Sequence, residues 1–349
     1  MAFADFLGDF ADKMGGGPKD GLDYVFGVER ARLDSYRPSQ AETDKFITLL
    51  QTAILGENKD LSQDRAAALQ KILDYNDNPG VAQLKKIDPH VFAFQLALRV
   101  REPSLLDQRY VGVCGASSLI TFLAKKSPAA FVDYAISVMR TGQGKLYGST
   151  VKATCWALWG SYSGKMADAD IVVLGTVGFD WLEGVTFSEA GEICDWLTAA
   201  GFRNVRNNTR IHAGALNLSQ LKTIEWFRQN LDDAARFSST KLVIIATDAD
   251  LLKPLWEKKR EWTTGDIMAR KSGGYRCDAP LPKTIWNRKI NHWTLVNHLS
   301  IEGEKEEEKL VRIKLYTWGN SLQGTYDLGP FLSYYGGHIV ADPPTAELG

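Results

Sequence analysis

The chain has 349 residues, of which 44% are hydrophobic, and its 41 lysine and arginine residues are balanced by 42 aspartate and glutamate residues. This hydrophobic fraction supports a sizeable core and excludes disorder for most of the chain, while a net charge of −1 without a local basic patch argues against a nucleic-acid partner. No stretch approaches the ~20 apolar residues of a membrane span, and the first residues lack the cationic start of a signal peptide, so we expect neither feature.

The first hundred residues are predicted to form a helical layer behind a loosely ordered leader. Residues 1–37 carry a glycine-rich stretch after a short apolar helix at 3–14, and we assign them to the leader. Apolar side chains then recur at helical spacing over residues 39–56 and 63–75, and a third helix over 90–101 ends before Pro103. Residues 38–104 are therefore predicted to be a helical N-terminal region.

Residues 105–349 are predicted to form one α+β domain. Residues 114–125 and 128–140 have the pattern of a helical hairpin that begins at Cys114. A mixed insertion at about 151–285 contains a helix at 188–200, with a capping box at Thr186 and Glu189, a strand at 202–205, a helix at 218–230 and a strand at 241–247. Residues 292–301 and 310–319 are predicted to pair as two strands around a charged loop.

The four cysteines, at positions 114, 155, 194 and 277, contain no CxxC pair and have no neighbouring histidine that would complete a zinc-ligand pattern. We therefore expect no metal and no cofactor. Cys155 and Cys194 are predicted to be small buried hydrophobic residues, and Cys277 a loop residue. Cys114 differs, because the first turn of a helix offers free backbone N–H groups and a positive dipole end, which favour the thiolate. The alternative is a small residue that begins a buried helix.

Two residues near Cys114 fit a nucleophilic role for its thiol. Gly115 permits the close approach of a substrate backbone. Gln108 lies six residues before the cysteine, and its amide is a plausible donor beside the Cys114 N–H in an oxyanion hole.

A cysteine nucleophile needs a histidine that removes its proton and later delivers one to the leaving group. We select His292, which opens the strand NHWTLVNHL, since a strand end is the better position for chemistry. His298 follows at an even spacing and is expected on the same face. His90, His212 and His338 are expected to be structural or surface residues.

The order of these residues resembles that of papain-like cysteine peptidases. In that family, the order along the chain is the oxyanion Gln, the nucleophile, the base and a Trp-Gly pair. The corresponding order here is Gln108, Cys114 with Gly115 at a helix start, His292 at the opening of a strand, and Trp318-Gly at a strand end. Roughly residues 80–340 are similar to a divergent group of bacterial papain-fold proteins of the toxin and effector kind. The resemblance implies a helical layer carrying the cysteine and a C-terminal antiparallel sheet carrying the histidine.

The sequence departs from the family at the residue that orients the histidine. The family has Asn two residues before the Trp, whereas Tyr316 stands at that position here. Asn320, Thr317 and Tyr316 itself are the alternatives, and we take Asn320 as the third catalytic residue. A backbone carbonyl could also orient the ring and leave a Cys–His dyad.

The resemblance implies a cysteine hydrolase that works through a thioester, foremost a thiol protease acting on a protein or peptide of a host or competitor cell. A deamidase, a transglutaminase or a peptidoglycan amidase would use the same residues, and a non-enzymatic binding protein on a papain-like scaffold is the alternative from another class. A virulence role would add a secretion machine or an immunity protein as partner. The protein would then be cytoplasmic in its producer or secreted by a route without a cleaved signal peptide.

Overall fold

The computed structural model describes residues 35–56, 61–108, 114–146, 149–153, 166–176, 189–209, 220–253, 255, 290–305, 308–317 and 319–344. These residues form helices and antiparallel sheets, so the predicted α+β class is confirmed. The chain divides into two units. The helical unit comprises residues 1–186, 318–320 and 348–349, and the sheet unit comprises residues 187–317 and 321–347.

The described part of the helical unit consists of helices, a 3-10 turn and a short antiparallel hairpin. Its elements are α1 (Gln40–Gly56), α2 (Ser62–Asp77), α3 (Pro89–Arg101), the 3-10 turn Pro103–Leu105, α4 (Cys114–Lys126), α5 (Pro128–Thr141), β1 (Gln143–Leu146), β2 (Ser149–Lys152) and α6 (Asp168–Leu174). The predicted helices of this region are confirmed to within about two residues at either end, including the start of α4 at Cys114. The predicted leader helix at 3–14 lies outside the described residues.

The helix α3 forms the centre of the helical unit. All residues from 91 to 100 are buried, and the helix packs against α1, α2, α4, α5 and α6. Because it is surrounded on all sides, it lacks the polar face of a surface helix. Its start is fixed by Asp88, whose carboxylate accepts hydrogen bonds from the backbone N–H groups of His90 and Val91 at 2.8 and 3.1 Å.

The sheet unit contains a six-stranded sheet, with the strands in the order β3-β8-β4-β5-β6-β7. Its elements are α7 (Ala190–Ala199), β3 (Arg203–Thr209), α8 (Gln220–Phe237), β4 (Leu242–Asp248), the 3-10 turn Ala249–Leu252, β5 (Ile290–Glu302), β6 (Leu310–Thr317), β7 (Asn320–Asp327), α9 (Leu328–Tyr334) and β8 (Tyr335–Asp342). The predicted hairpin is confirmed as β5 and β6, which pair antiparallel.

The helix α8 packs against β8, β4 and β5. Its buried residues Phe227, Leu231 and Ala234 recur at helical spacing and form the apolar face that contacts the sheet. Every residue of β4 is buried, as expected for a strand that pairs with β8 on one side and β5 on the other. The sheet unit therefore has its core between α8 and the central strands.

The predicted capping box of α7 is wrong. The helix begins at Ala190, and the Glu192 carboxylate accepts a hydrogen bond from the Glu189 N–H at 2.7 Å. The box is therefore closed by Glu192 rather than by Glu189, since the helix starts two residues later than the predicted start at residue 188. Thr186 lies outside the described residues.

The prediction that His292 and His298 share a face is also wrong. His292 is 4% exposed, whereas His298 is exposed to solvent. The register of β5 against β6 shifts between Val296 and His298, which leaves Asn297 as an extra residue in the pairing. A β-bulge of this kind reverses the alternation of side chains along the strand, so residues at an even spacing point to opposite faces.

Candidate functional site

Cys114 is the first residue of α4, and its side chain is 4% exposed. The last turn of the helix carries Lys125 and Lys126, which complement the negative end of the helix dipole. The cysteine therefore lies at the positive end of a three-turn helix, the position that lowers the free energy of a thiolate.

Gln108 belongs to the segment that follows the 3-10 turn. The carboxylate of Glu102 caps this turn by accepting hydrogen bonds from the Ser104 N–H at 3.1 Å and the Ser104 hydroxyl at 2.6 Å. The turn itself packs against α4. Gln108 is 6% exposed, and within the described residues no donor reaches its buried Oε1 atom. An acceptor without a donor in the interior costs free energy, and an oxyanion would be bound by the other end of the amide, its Nε2 donor.

The segment that carries Gln108 is also fixed by a fully buried ion pair, which was not predicted from the sequence. The Arg99 guanidinium makes two parallel hydrogen bonds to the Asp170 carboxylate, with Nε–Oδ1 at 2.9 Å and Nη2–Oδ2 at 2.8 Å. The two side chains are 0% and 1% exposed. The carboxylate also accepts the backbone N–H of Asp107, the residue before Gln108, at 3.3 Å.

His292 lies in the sheet unit, near the start of β5 and opposite Thr247 of β4. Its Nε2 atom forms a hydrogen bond with the Thr317 hydroxyl of β6, and both side chains are buried. Burial lowers the pKa of His292 to about 3, because the charged imidazolium loses its hydration. The imidazole is therefore neutral over the ordinary working range of pH.

Threonine side chains line the sheet around His292. Thr247 is directly opposite the histidine, and Thr294 lies two residues further along β5 on the same face. Both are fully buried, and their hydroxyls have no hydrogen-bond partner among the described residues. These hydroxyls and Thr317 give the face around His292 a neutral polar character without adding a charge.

The start of β5 is tied to the turn that follows β4. The Asn291 side-chain oxygen accepts the backbone N–H of Ala249 at 3.1 Å, and Asp248 caps the same turn by accepting the N–H of Asp250 at 3.0 Å. At this end of the Thr247–His292 pair, the backbone of both strands is therefore fixed by side chains as well as by the sheet. Such anchoring suits a residue whose ring must keep one orientation.

Of the three alternatives for the orienting residue, the structure brings Thr317 to His292. Tyr316 precedes Thr317 on β6, is half-buried and points to the opposite face, since successive strand residues alternate. Asn320 begins β7, but its side chain lies outside the described part, as does the whole of Trp318. Gly319 is buried and has φ +64°, a conformation that suits glycine at this sharp turn between β6 and β7.

Two of the other histidines, His90 and His338, form hydrogen bonds with residues away from His292. His90 lies in the first turn of α3, and its Nδ1 is 2.9 Å from the Asn76 side-chain oxygen. His338 is fully buried on β8, where Nδ1 is 2.9 Å from the Tyr335 hydroxyl and Nε2 is 3.2 Å from Asn208 Nδ2. Burial lowers the pKa of His338 to about 4. These contacts fit structural roles, whereas His212 lies outside the described residues.

The remaining cysteines are less suited to nucleophilic chemistry where the structure describes them. Cys194 is half-buried on α7, and burial, followed by the neighbouring Asp195 charge, raises the pKa of its thiol. Cys155 and Cys277 lie outside the described residues. Within the described ranges, no group of histidine, cysteine and acidic side chains could hold a metal ion, and no helix is long and apolar enough to cross a membrane.

Comparison with known proteins finds no matching family model, no matching curated protein and no matching solved structure. The function proposed below therefore depends on the chemistry of the described residues and on the order of motifs in the chain.

Proposed function

We propose that the protein is a cysteine hydrolase of papain-like type, with Cys114 as nucleophile, His292 as general base and acid, and Gln108 as oxyanion donor. The observation that carries the proposal is the hydrogen bond between His292 Nε2 and Thr317, in a strand that ends at the Trp-Gly pair of the papain-like pattern. It supplies the orienting partner that the sequence lacks at the family's Asn position.

In the proposed reaction, the Cys114 thiol transfers its proton to His292, and its sulfur attacks the carbonyl carbon of the substrate. A C–S bond forms while the carbonyl electron pair moves to oxygen, where the Gln108 amide and the Cys114 N–H donate hydrogen bonds. His292 returns the proton to the leaving group as its bond to carbon breaks. Water then attacks the thioester, and hydrolysis restores the thiol.

In this reaction, Thr317 would fix the orientation and the tautomer of the His292 imidazole. A hydroxyl on Nε2 holds the plane of the imidazole and leaves Nδ1 as the nitrogen that receives the cysteine proton. Thr317 is buried, so this hydrogen bond is shielded from competing water. We therefore assign Thr317 as the orienting residue.

The proposed substrate is a protein or peptide, and an effector or toxin role follows from the resemblance to bacterial papain-fold proteins. Deamidation, transglutamination and peptidoglycan amide hydrolysis would use the same thioester chemistry. These reactions differ in the acyl donor and in the group that attacks the thioester.

A second function is favoured by the burial of both proposed catalytic side chains. Cys114 and His292 are each 4% exposed, and a pKa of about 3 is what a packed, inert imidazole would have. A papain-like scaffold that binds a partner without catalysis would show the same burial. The two functions are separated by the reactivity of the thiol.

The test is alkylation by iodoacetamide at neutral pH, followed by peptide mass spectrometry that resolves each cysteine. The enzyme proposal predicts that Cys114 reacts faster than Cys277 and that His292→Ala slows Cys114 alone. Equal rates at both cysteines, unaffected by His292→Ala, would establish the scaffold instead. Incubation of target-cell lysate with wild type and with Cys114→Ala would then identify the cleaved protein.

A further inference from the structure

The buried Arg99–Asp170 pair has no part in the chemistry proposed above. Arg99 comes from α3 and Asp170 from α6, and the pair belongs to the core of the helical unit. Its geometry is constrained on both sides. Arg99 Nη1 also donates to the Gln95 carbonyl at 3.3 Å, and the Gln95 side-chain oxygen accepts the Ala169 N–H at 3.1 Å.

Stability alone does not account for this pair. Removing two charges from water is expensive, and replacing a buried ion pair by apolar residues of similar volume is often neutral or stabilising. An apolar pair, however, could not accept a backbone N–H. The Asp170 carboxylate does so for Asp107, at a point where the chain has left α3 and forms no regular structure.

The acceptor acts on the residue directly before Gln108. The carboxylate is held by two hydrogen bonds from Arg99, and the N–H of Asp107 is held by the carboxylate. The backbone next to Gln108 is therefore connected to α3 by consecutive buried hydrogen bonds, from the Asp107 N–H to Asp170 and from Asp170 to Arg99. The capped 3-10 turn fixes the same segment on its other side.

We propose that Asp170 is a positioning residue for Gln108 and that Arg99 holds its carboxylate for this purpose. The inference rests on the proposed function, since it requires Gln108 to be the oxyanion donor. Displacing a catalytic group by about 1 Å costs up to about 10²-fold in rate, so a group fixed through the Asp107 N–H is sensitive to loss of that bond.

Two small reagents separate the oxyanion hole from the nucleophile. Iodoacetamide reacts when the sulfur displaces iodide from carbon, a step without an oxyanion. In the reaction with p-nitrophenyl acetate, the sulfur bonds to the acetyl carbon, the carbonyl oxygen becomes an oxyanion, and p-nitrophenolate leaves with the electron pair of the broken C–O bond. The ratio of acylation to alkylation rates at Cys114 therefore reports the oxyanion hole alone.

The main variant is Arg99→Met with Asp170→Leu, which removes both charges together and leaves neither unpaired. It should lower the acylation-to-alkylation ratio by about tenfold or more, and Gln108→Ala should lower the ratio by about 10²-fold. In the combination of all three substitutions, the loss should equal that of Gln108→Ala alone, because positioning has no effect once the positioned amide is gone.

Tyr134→Phe is the matched structural control. It removes a buried hydroxyl that donates to the Val173 carbonyl at 2.7 Å in the same unit. Its melting temperature should fall without a change in the rate ratio. A merely structural role for the Arg99–Asp170 pair predicts that both variants behave alike.

A second comparison applies if the double variant does not fold. Asp107→Pro removes the N–H while leaving the ion pair intact, and Leu106, with ψ 117°, accepts a following proline. Asp107→Ala removes the same side chain and keeps the N–H. The ratio should be lower in Asp107→Pro than in Asp107→Ala.

The outcomes are distinguishable. If Cys114 shows no enhanced alkylation, the proposed function fails, and this inference fails with it. If Gln108→Ala leaves the ratio unchanged, Gln108 is not the oxyanion donor, and nothing remains to be positioned. If Gln108→Ala lowers the ratio while neither the double variant nor the proline variant does, the inference about Asp170 is overturned and the proposed function stands.

Discussion

The helical unit and the sheet unit bury polar groups in different ways. In the helical unit, the charges of Arg99 and Asp170 remain in the core, where each satisfies the other. In the sheet unit, His292 is surrounded by threonines, and burial suppresses its charge by lowering its pKa to about 3. A full charge fixes the backbone near Gln108, whereas a neutral hydroxyl fixes the ring of His292.

The difference matches the tasks proposed for the two regions. An oxyanion donor must keep its place and never changes its protonation state, so a permanent charge pair nearby does no harm. A general base must remain neutral before the reaction and gain its charge during it. A fixed charge beside the base would shift its pKa and favour one protonation state throughout.

The largest effect is expected from the nucleophile and the base. Cys114→Ala should abolish turnover of p-nitrophenyl acetate, and His292→Ala should reduce it by about 10³-fold or more, on the analogy of catalytic triads. Both should melt as cooperatively as wild type, which circular dichroism would verify. His298→Ala is the matched control on the same strand, and an exposed ring should be dispensable. Turnover by Cys114→Ala comparable to wild type would remove the nucleophile assignment.

Gln108→Ala should lower kcat by about 10²- to 10³-fold, the usual effect of removing an oxyanion donor. KM should change little, because the hydrogen bond is strongest in the transition state. Steady-state kinetics on the substrate identified in lysate would measure both constants. A raised KM with an unchanged kcat would mean that Gln108 binds the substrate in its ground state.

Thr317→Val should lower kcat by about 10- to 100-fold, since it removes the hydroxyl on His292 Nε2 and keeps the shape of the side chain. Thr317→Ser should restore most of the rate. Tyr316→Phe and Asn320→Ala should have little effect under the same assay. A large loss in either of these two, with a silent Thr317→Val, would return the orienting role to the family-like positions.

The smallest effect concerns stability in acid. His338 is neutral and buried, with a pKa of about 4 against about 6.5 when unfolded, so the unfolded state binds more protons between these values. Stability should therefore fall as the pH drops below about 6.5, by up to about 1.4 kcal/mol per pH unit from this residue, and the loss should level off below about pH 4. In urea unfolding, the loss of unfolding free energy between pH 7 and pH 5 should be about 2 kcal/mol larger in wild type than in His338→Gln, which corresponds to a steeper slope against pH. An equal slope in both proteins would contradict the buried neutral state.

Local pattern predicted the helical unit well. The apolar spacing of α1 and α2 repeats every turn, Pro103 marks the end of α3, and the start of α4 at Cys114 could be read directly from the chain. The pairing of Arg99 with Asp170 could not, because the two residues are 71 positions apart and come from separate helices. The charges of the two residues appear in the sequence, but their burial depends on tertiary packing.

The sheet unit was predicted less completely. The even spacing predicts that His298 and His292 share a face. The bulge at Asn297, however, arises from the pairing of β5 with β6 and cannot be recognised from the alternation of apolar and polar residues along β5. The choice among Tyr316, Thr317 and Asn320 depends on the register of β6 against β5, which local sequence does not determine. The sequence could therefore supply the three alternatives without selecting Thr317.

A Cys–His hydrolase is distinguished from an inert scaffold by the time course of acetylation at Cys114 after mixing with p-nitrophenyl acetate, measured by peptide mass spectrometry. Wild type should form the acetyl thioester at Cys114 and then lose it at the rate of turnover, while His292→Ala should form it slowly and retain it. Acetylation at another residue, or a Cys114 thioester that breaks down equally fast in wild type and His292→Ala, would contradict the proposed Cys–His hydrolase.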